Sequence, residues 1–381
     1  MQKNYNENHL KPYAVKSINS KGRIYKELEN SIRSPYQRDR DRIIHSTSFR
    51  RLKHKTQVFV NTEGDHYRTR LTHSMEVSQI ARTLARSLGL NEDLSETLSL
   101  SHDLGHTPFG HAGEEALNDC MKKYGGFDHN IQTLRIVTSI EKKYYKFYGL
   151  NLTIETLDGL IKHNGPIFDL SRYKRILKKD FFSKKIIFNT FPSLEAQVAA
   201  ISDDIAYNNH DLEDGLRAEL FTIKEFSSIS LISKLVNKHM KNIKNFRKEV
   251  IISQIIRDLI NLMVLDVINT TNKNLKKSKP QTIRDIYKEN RLIVDFSDKM
   301  KIIVRQMKVF LKKNMYNHDK VLLNTNRGKK IINDLFKYLS KKPKRYISKD
   351  LLNKNTKERA IADFIAGMTD RYAINLYNKI K

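Results

Sequence analysis

The chain has no tryptophan and only one cysteine, Cys120, among its 381 residues. A single thiol excludes a disulfide framework and any cysteine-based zinc site, so Cys120 is read as a small, buried or half-buried residue. No Pro/Gly-rich linker divides the chain. No apolar run approaches the ~18 residues of a membrane-spanning helix. The first thirty residues are polar and charged, which argues against a signal peptide. These absences predict a soluble protein in a reducing, cytoplasmic setting. Acidic residues are also short: 42 Asp+Glu stand against 70 Lys+Arg, a net charge of +28. A basic surface attracts polyanions, including nucleic acid. The competing reading is compositional drift, because Lys, Asn and Ile crowd the sequence, and that reading is preferred for the bulk of the charge. The lysines are densest in the C-terminal half, whereas arginines gather near the motifs described below.

At 39% hydrophobic residues the chain can bury a core and is globular. Helical periodicity dominates. Over 74–90 the apolar residues Val77, Ile80, Ala81, Leu84, Ala85 and Leu88 share one face, with Gly89 as a stop. Further helices are predicted over 92–104, 112–124, 193–208, 212–220, 246–269 and 357–379. Strand signals are limited to Thr56–Val60 and, more weakly, Lys184–Phe188. The basic, aromatic segment 172–192 reads as an insertion or loop. This pattern predicts an all-α fold with an N-terminal arm (1–33), a core (34–270) and a C-terminal helical subdomain (271–381) packed on that core, with the boundary in 271–281.

The run H-D-L-G-H-T-P-F-G-H-A-G-E, from His102 to Glu114, concentrates ionisable groups between Gly and Pro. Adjacent His102 and Asp103 are an imidazole and a carboxylate that one helix end can aim at a common point. His73, upstream in R-T-R-L-T-H-S, and Asp203, downstream in S-D-D-I-A-Y, complete a possible set of two nitrogens and two carboxylates. Such a set leaves room for water, as a catalytic metal requires. Imidazole and carboxylate together do not fix the metal. Arg70 lies three residues before His73, where a phosphate-binding cation would serve. Asp203, Tyr207 and Asp211 are spaced by four and share a helical face. Arg50, Arg51 and Lys55 form a basic cluster; Arg51 is equally an ion-pair partner for Asp39 or Asp41.

The order H…HD…D resembles the HD-domain metal-dependent phosphohydrolases. Longer blocks resemble the deoxyguanosine triphosphate triphosphohydrolase family: S-P-Y-Q-R-D-R-D-R-I-I-H-S-T-S-F-R-R-L-K-H-K-T-Q-V-F, T-R-L-T-H-S, S-H-D-L-G-H-T-P-F-G-H-A-G-E, F-D-H-N-I-Q-T-L-R, D-D-I-A-Y-N-N-H-D-L-E-D-G and I-A-G-M-T-D-R-Y-A. They run in order from about residue 34 to 374. The resemblance implies an HD-type helical fold with a C-terminal extension, and release of inorganic triphosphate from a deoxynucleoside triphosphate. It implies a divalent ion (Mn, Mg, Fe, Co or Ni) on His73, His102, Asp103 and Asp203, and a catalytic His111 oriented by Glu114. Glu114 reads equally well as a first-turn helix acid. The resemblance also places Tyr207 and Asp211 at the sugar 3′-hydroxyl, Gln57 at the sugar and base, and His129 near the phosphates. A homo-oligomer such as a hexamer is a further family expectation. Two other readings compete: an HD phosphohydrolase acting on a different nucleotide phosphate, and a regulator that binds single-stranded nucleic acid weakly while retaining the site.

Overall fold

The computed structural model describes residues 5–28, 32–57, 68–177, 179–182, 186–241 and 246–381. Its principal helices are α1 (Pro35–Ile44), α2 (Thr47–Arg51), α3 (Arg70–Leu88), α4 (Glu92–Ser101), α5 (Gly110–Met121), α6 (His129–Arg135) and α7 (Ile154–Ile161). They continue as α8 (Leu194–Arg217), α9 (Lys248–Ser278), α10 (Asp298–Leu311), α11 (Asp319–Lys341), α12 (Lys357–Ala366) and α13 (Asp370–Ile380). The fold is all-α. Only isolated β-bridges occur among the described residues, one of them joining Thr56 to Thr69. The strand expected over Thr56–Val60 is therefore reduced to that bridge, and residues 58–60 lie outside the described region. Of the other expected strand, Ile186–Phe188 has no strand pairing, and residues 184 and 185 lie outside the described region.

Local sequence sets most helix starts. Ser34 and Gln37 form a reciprocal capping box ahead of α1, and Asn91 and Ser193 accept the first free N–H groups of α4 and α8. Such caps satisfy donors that have no intrahelical partner. Gly89 ends α3 in the left-handed conformation, as a C-terminal glycine does.

Several expected boundaries move. The two helices expected over 193–208 and 212–220 are one. Asn208 and Asn209 are poor helix formers, but both are buried, and their amides donate to the carbonyls of Asp204 and Ile205 one turn back. The helix expected to end near residue 269 runs on to Ser278, because Val267, Thr271 and Leu275 extend its buried face. The single helix expected over 357–379 is two, broken at Gly367 and restarted by the Thr369 cap. The segment read as an insertion buries Ile176, Leu177, Phe181 and Ile186 in the core and starts with a short helix, Ser171–Ile176.

Among the described residues, three apolar clusters hold the helices. One joins α3, α8, α9 and α10. A second joins α1, α4, α6 and α7. The third packs α11, α12 and α13 on α5. The motif residues lie where α3, α4, α5 and α8 meet, at the junction of the three.

Candidate functional site

His73, His102, Asp103 and Asp203 converge from three elements. His73 stands in the first turn of α3, whose start is fixed by the Thr69–Thr72 capping box. His102 is the C-cap of α4 and Asp103 follows it. Asp203 faces them from the middle of α8. The Asp203 Oδ1 lies 3.0 Å from His73 Nε2 and 3.5 Å from His102 Nε2. Asp103 Oδ1 lies 3.3 Å from His102 Nε2, while its Oδ2 accepts from Arg70 Nη1 at 2.8 Å. His163 Nε2 adds a fifth group, 3.7 Å from Asp203 Oδ2.

These atoms suit a cation. The His102 Nδ1 N–H donates to the Ser99 carbonyl at 2.6 Å, which leaves Nε2 with its lone pair. That nitrogen is buried without a hydrogen-bond partner and faces two carboxylate oxygens. Three acceptors pointed at one another repel unless positive charge lies between them. Burial opposes charge on His102, yet Asp103 and Asp203 push its imidazole up to about 9. Burial would raise both carboxylates, but the imidazoles (and Arg70 at Asp103) hold each well below its usual range. A bound divalent ion would answer the same demand. His73, His102 and Asp203 supply donor atoms within 4.8 Å of one another, and two imidazoles with carboxylates suit a transition metal more than a purely oxygen-loving ion.

A second group, His106, Glu114 and His129, also has donor atoms within 4.8 Å. It suits proton handling better than a metal. The His106 and His129 rings stack nearly parallel, 3.9 Å apart at 14°, so their in-plane lone pairs do not converge. Glu114 accepts from the His129 backbone N–H at 2.9 Å and from its Nδ1 at 2.9 and 3.0 Å. His111 Nδ1 is farther from that carboxylate, at 3.8 Å, and 65% of its side chain is exposed. Glu114 is thus hydrogen-bonded to His129, with the His111 expected beside it within ion-pair reach of the same carboxylate. Burial would raise Glu114, but these imidazoles hold it well below the carboxylate range. Burial would lower His129, but Glu114 raises it. Burial, Arg70 and His129 keep His106 neutral. Glu114 therefore favours the charged form of His129, beside a His106 ring whose burial favours its neutral form.

The wall formed by α8 carries Tyr207 and Asp211. The hydroxyl of Tyr316 lies 2.8 Å from that of Tyr207 and donates to Asp211 Oδ2. Burial, reinforced by the Asp214 charge, raises the Asp211 carboxyl to about 7. Tyr316 was not anticipated; it lies in a π-helical turn, Lys312–Tyr316, that continues α10. Single-turn π segments recur at functional sites, but nothing in the local string K-K-N-M-Y marks it. Lys308 and Lys312 also line the cleft, and Lys308 pairs with Asp204 at 2.7 Å. The whole cleft holds about 580 Å³ and includes Gln57, Arg70, His73, His102, Asp103, His111, His129, Asp203 and Tyr207. Gly110 starts α5 at φ +56°, where a Cβ would come within 3.2 Å of Arg70 and 3.3 Å of the Gln57 carbonyl. Of the basic cluster, Lys55 is buried under the site. Arg51 donates to the Gly367 carbonyl, whereas Asp39 pairs with Arg23 and Asp41 with Arg33 and Arg40.

Residues 70–208, which carry all four expected ligands, match the HD domain family, and residues 294–379 match the phosphohydrolase-associated domain. A Pelagibacter ubique protein described as deoxyguanosinetriphosphate triphosphohydrolase-like is 61% identical over 94% of this chain and 96% of its own. The chain belongs to that dGTPase-like family. Proteins of the same description from Bartonella henselae (48% identity, 99% of this chain and 96% of the relative) and Rickettsia felis (45%, 97% and 98%) match along nearly their whole length. This dGTPase-like chain is an HD-domain phosphohydrolase with its His/Asp cluster in the family's metal-dependent core. No helix among the described residues is long and apolar enough to cross a membrane.

Proposed function

We propose that the protein hydrolyses deoxynucleoside triphosphates to deoxynucleoside and inorganic triphosphate, using a divalent ion on His73, His102, Asp103 and Asp203. The observation that carries this reading is the shared cleft: the Tyr207 and Tyr316 hydroxyls, backed by buried Asp211 and suited to a sugar, stand in it with the His/Asp cluster and several cations. A divalent ion there supplies Lewis-acid polarisation of a phosphate and a more acidic water. The chain's residues do the rest. Arg70, Lys308, Lys312 and the His129 imidazolium meet phosphate charge. Asp211 and Tyr316 hold the 3′-hydroxyl, and Tyr207 packs where a 2′-hydroxyl would clash. Gln57, whose Oε1 is buried without a partner, faces sugar and base. Water bonds to the α-phosphorus, the bond from phosphorus to the 5′-oxygen breaks, and that oxygen takes a proton. His111, exposed at the mouth, carries protons in this exchange.

The test is incubation with each of the four deoxynucleoside triphosphates and with GTP, in Mn or Mg, followed by chromatography. Inorganic triphosphate and deoxynucleoside are the expected products, with GTP a poor substrate. Orthophosphate as the product would point instead to another nucleotide phosphate chemistry, and equal rates on GTP and dGTP would remove Tyr207 from sugar selection.

A further inference from the structure

The late block I-A-G-M-T-D-R-Y-A has no part in the chemistry above, yet its aspartate reaches the catalytic loop. Asp370 opens α13 and is only 4% exposed. Its Oδ1 accepts the backbone N–H of Phe109 at 3.0 Å, and its Oδ2 accepts the backbone N–H of Thr56 at 2.8 Å and the Thr56 hydroxyl. An acidic residue in the first helical turn often serves its own helix through the macrodipole. Here all three hydrogen bonds come from distant parts of the chain. Both residues held lie close to functional ones: Thr56 precedes Gln57, and Phe109 lies two residues before His111.

Phe109 needs holding. It has φ +62°, the left-handed region that a bulky side chain rarely adopts. Other C-terminal contacts act on the same loop. Lys55 is buried and donates to the His106 carbonyl and, at 2.8 Å, to the Ala366 carbonyl at the end of α12. Gly328 of α11 packs on Phe109 so tightly that a Cβ there would lie 2.9 Å from the Phe109 Cβ and Cγ.

We propose that Asp370 is a positioning residue: anchored on Thr56, it sets the backbone of the His106–His111 loop through Phe109, with Gly328 and Lys55 bracing the same loop. The C-terminal helices thereby become part of the catalytic apparatus without touching substrate. Asparagine at 370 keeps the shape but leaves at least one buried N–H or O–H without an acceptor, which disfavours the held loop conformation. The proposal rests on His111 being the proton carrier.

Asp370→Asn should lower kcat by about 10–100-fold, as displacements near 1 Å do, with KM and bound metal little changed. In a His111→Ala background the same substitution should add no further loss, because both act on one group. Hydrogen exchange should quicken in peptides covering 104–112 and stay at the wild-type rate over 371–380. Gly328→Ala, which pushes on Phe109 from another helix, should reproduce part of the kcat loss. If Asp370→Asn fails to fold, Asp370→Glu, which keeps the carboxylate but moves its oxygens by a methylene from the Phe109 N–H, takes its place in each measurement. A loss that multiplies with His111→Ala overturns the proposal, as does unchanged exchange over 104–112 or faster exchange over 371–380. Normal turnover in His111→Ala alone would defeat the reading of His111, and exchange over 104–112 would then decide by itself whether Asp370 holds the loop.

Discussion

Asp103 is asked to do two things, since one oxygen is held by Arg70 and the other faces the imidazoles of His106 and His102. Asp103→Ala should lose both metal and turnover; elemental analysis showing wild-type metal content would remove Asp103 from the ligand set. The neighbouring histidines should separate kinetically. His111→Ala should keep its metal and lose about 10²–10⁴-fold in kcat, the range for a general acid or base, whereas His129→Ala should chiefly raise KM. The reverse pattern in steady-state kinetics would exchange their roles. Asp211 makes a prediction about pH. Its carboxyl rises from the ordinary range to about 7, because burial disfavours its charge. A group raised on folding is fully compatible with the fold below its unfolded pKa and costs stability as pH climbs through the raised value. Between pH 5 and 8 the wild type should therefore lose more thermal stability than Asp211→Asn. Parallel Tm profiles for the two proteins would show that Asp211 is ionised at little cost.

At the scale of elements, several of the proposed site residues sit at helix ends and turns, whereas Asp203, Tyr207 and Asp211 lie in the middle of α8. Helix α4 ends at His102, α5 begins one residue before His111, and the π-helical turn after α10 ends at Tyr316. Helix ends are where caps and packing can aim a side chain without altering the periodic core. The restart between α12 and α13 is one such point: the Thr369 side chain accepts the Tyr372 N–H and so fixes where Asp370 stands. Thr369→Ala should cost about 1 kcal/mol in urea unfolding, the usual worth of such a cap. A change within a few tenths would show that packing alone starts α13.

For the molecule as a whole, the charge of +28 sits on a fold whose buried ionisable groups are largely paired, as in Arg135 with Asp363 and Arg68 with Glu213 and Asp214. The excess is carried by the surface. Any binding of single-stranded DNA should then be weak, indifferent to sequence, and lost steeply with salt, by about 0.7 in log K per log salt for each phosphate contact. A filter-binding titration with no retention at low salt would assign the charge to composition alone. Retention that survives high salt would demand stacking or base contacts.

The helical fold, the clustering of the His and Asp residues and the shared face of α8 were legible in the sequence, because each is written in local spacing: a period of 3.6, an adjacent His-Asp pair, a repeat of four. The continuity of α8 through Asn208–Asn209 was not, because burial of two amides against their own helix overrides a weak local preference. Nor was the second imidazole at Glu114. Spacing in the chain puts His111 one turn away, and packing of α6 brings His129 into hydrogen-bonding range as well. Tyr316 and Asp370 were beyond local reading altogether, separated by about a hundred and more than two hundred and fifty residues from Tyr207 and Phe109, the groups they hold. Sequence determines what a segment prefers and which chemistry it carries. Which distant side chain satisfies a given buried donor is decided only when the helices pack.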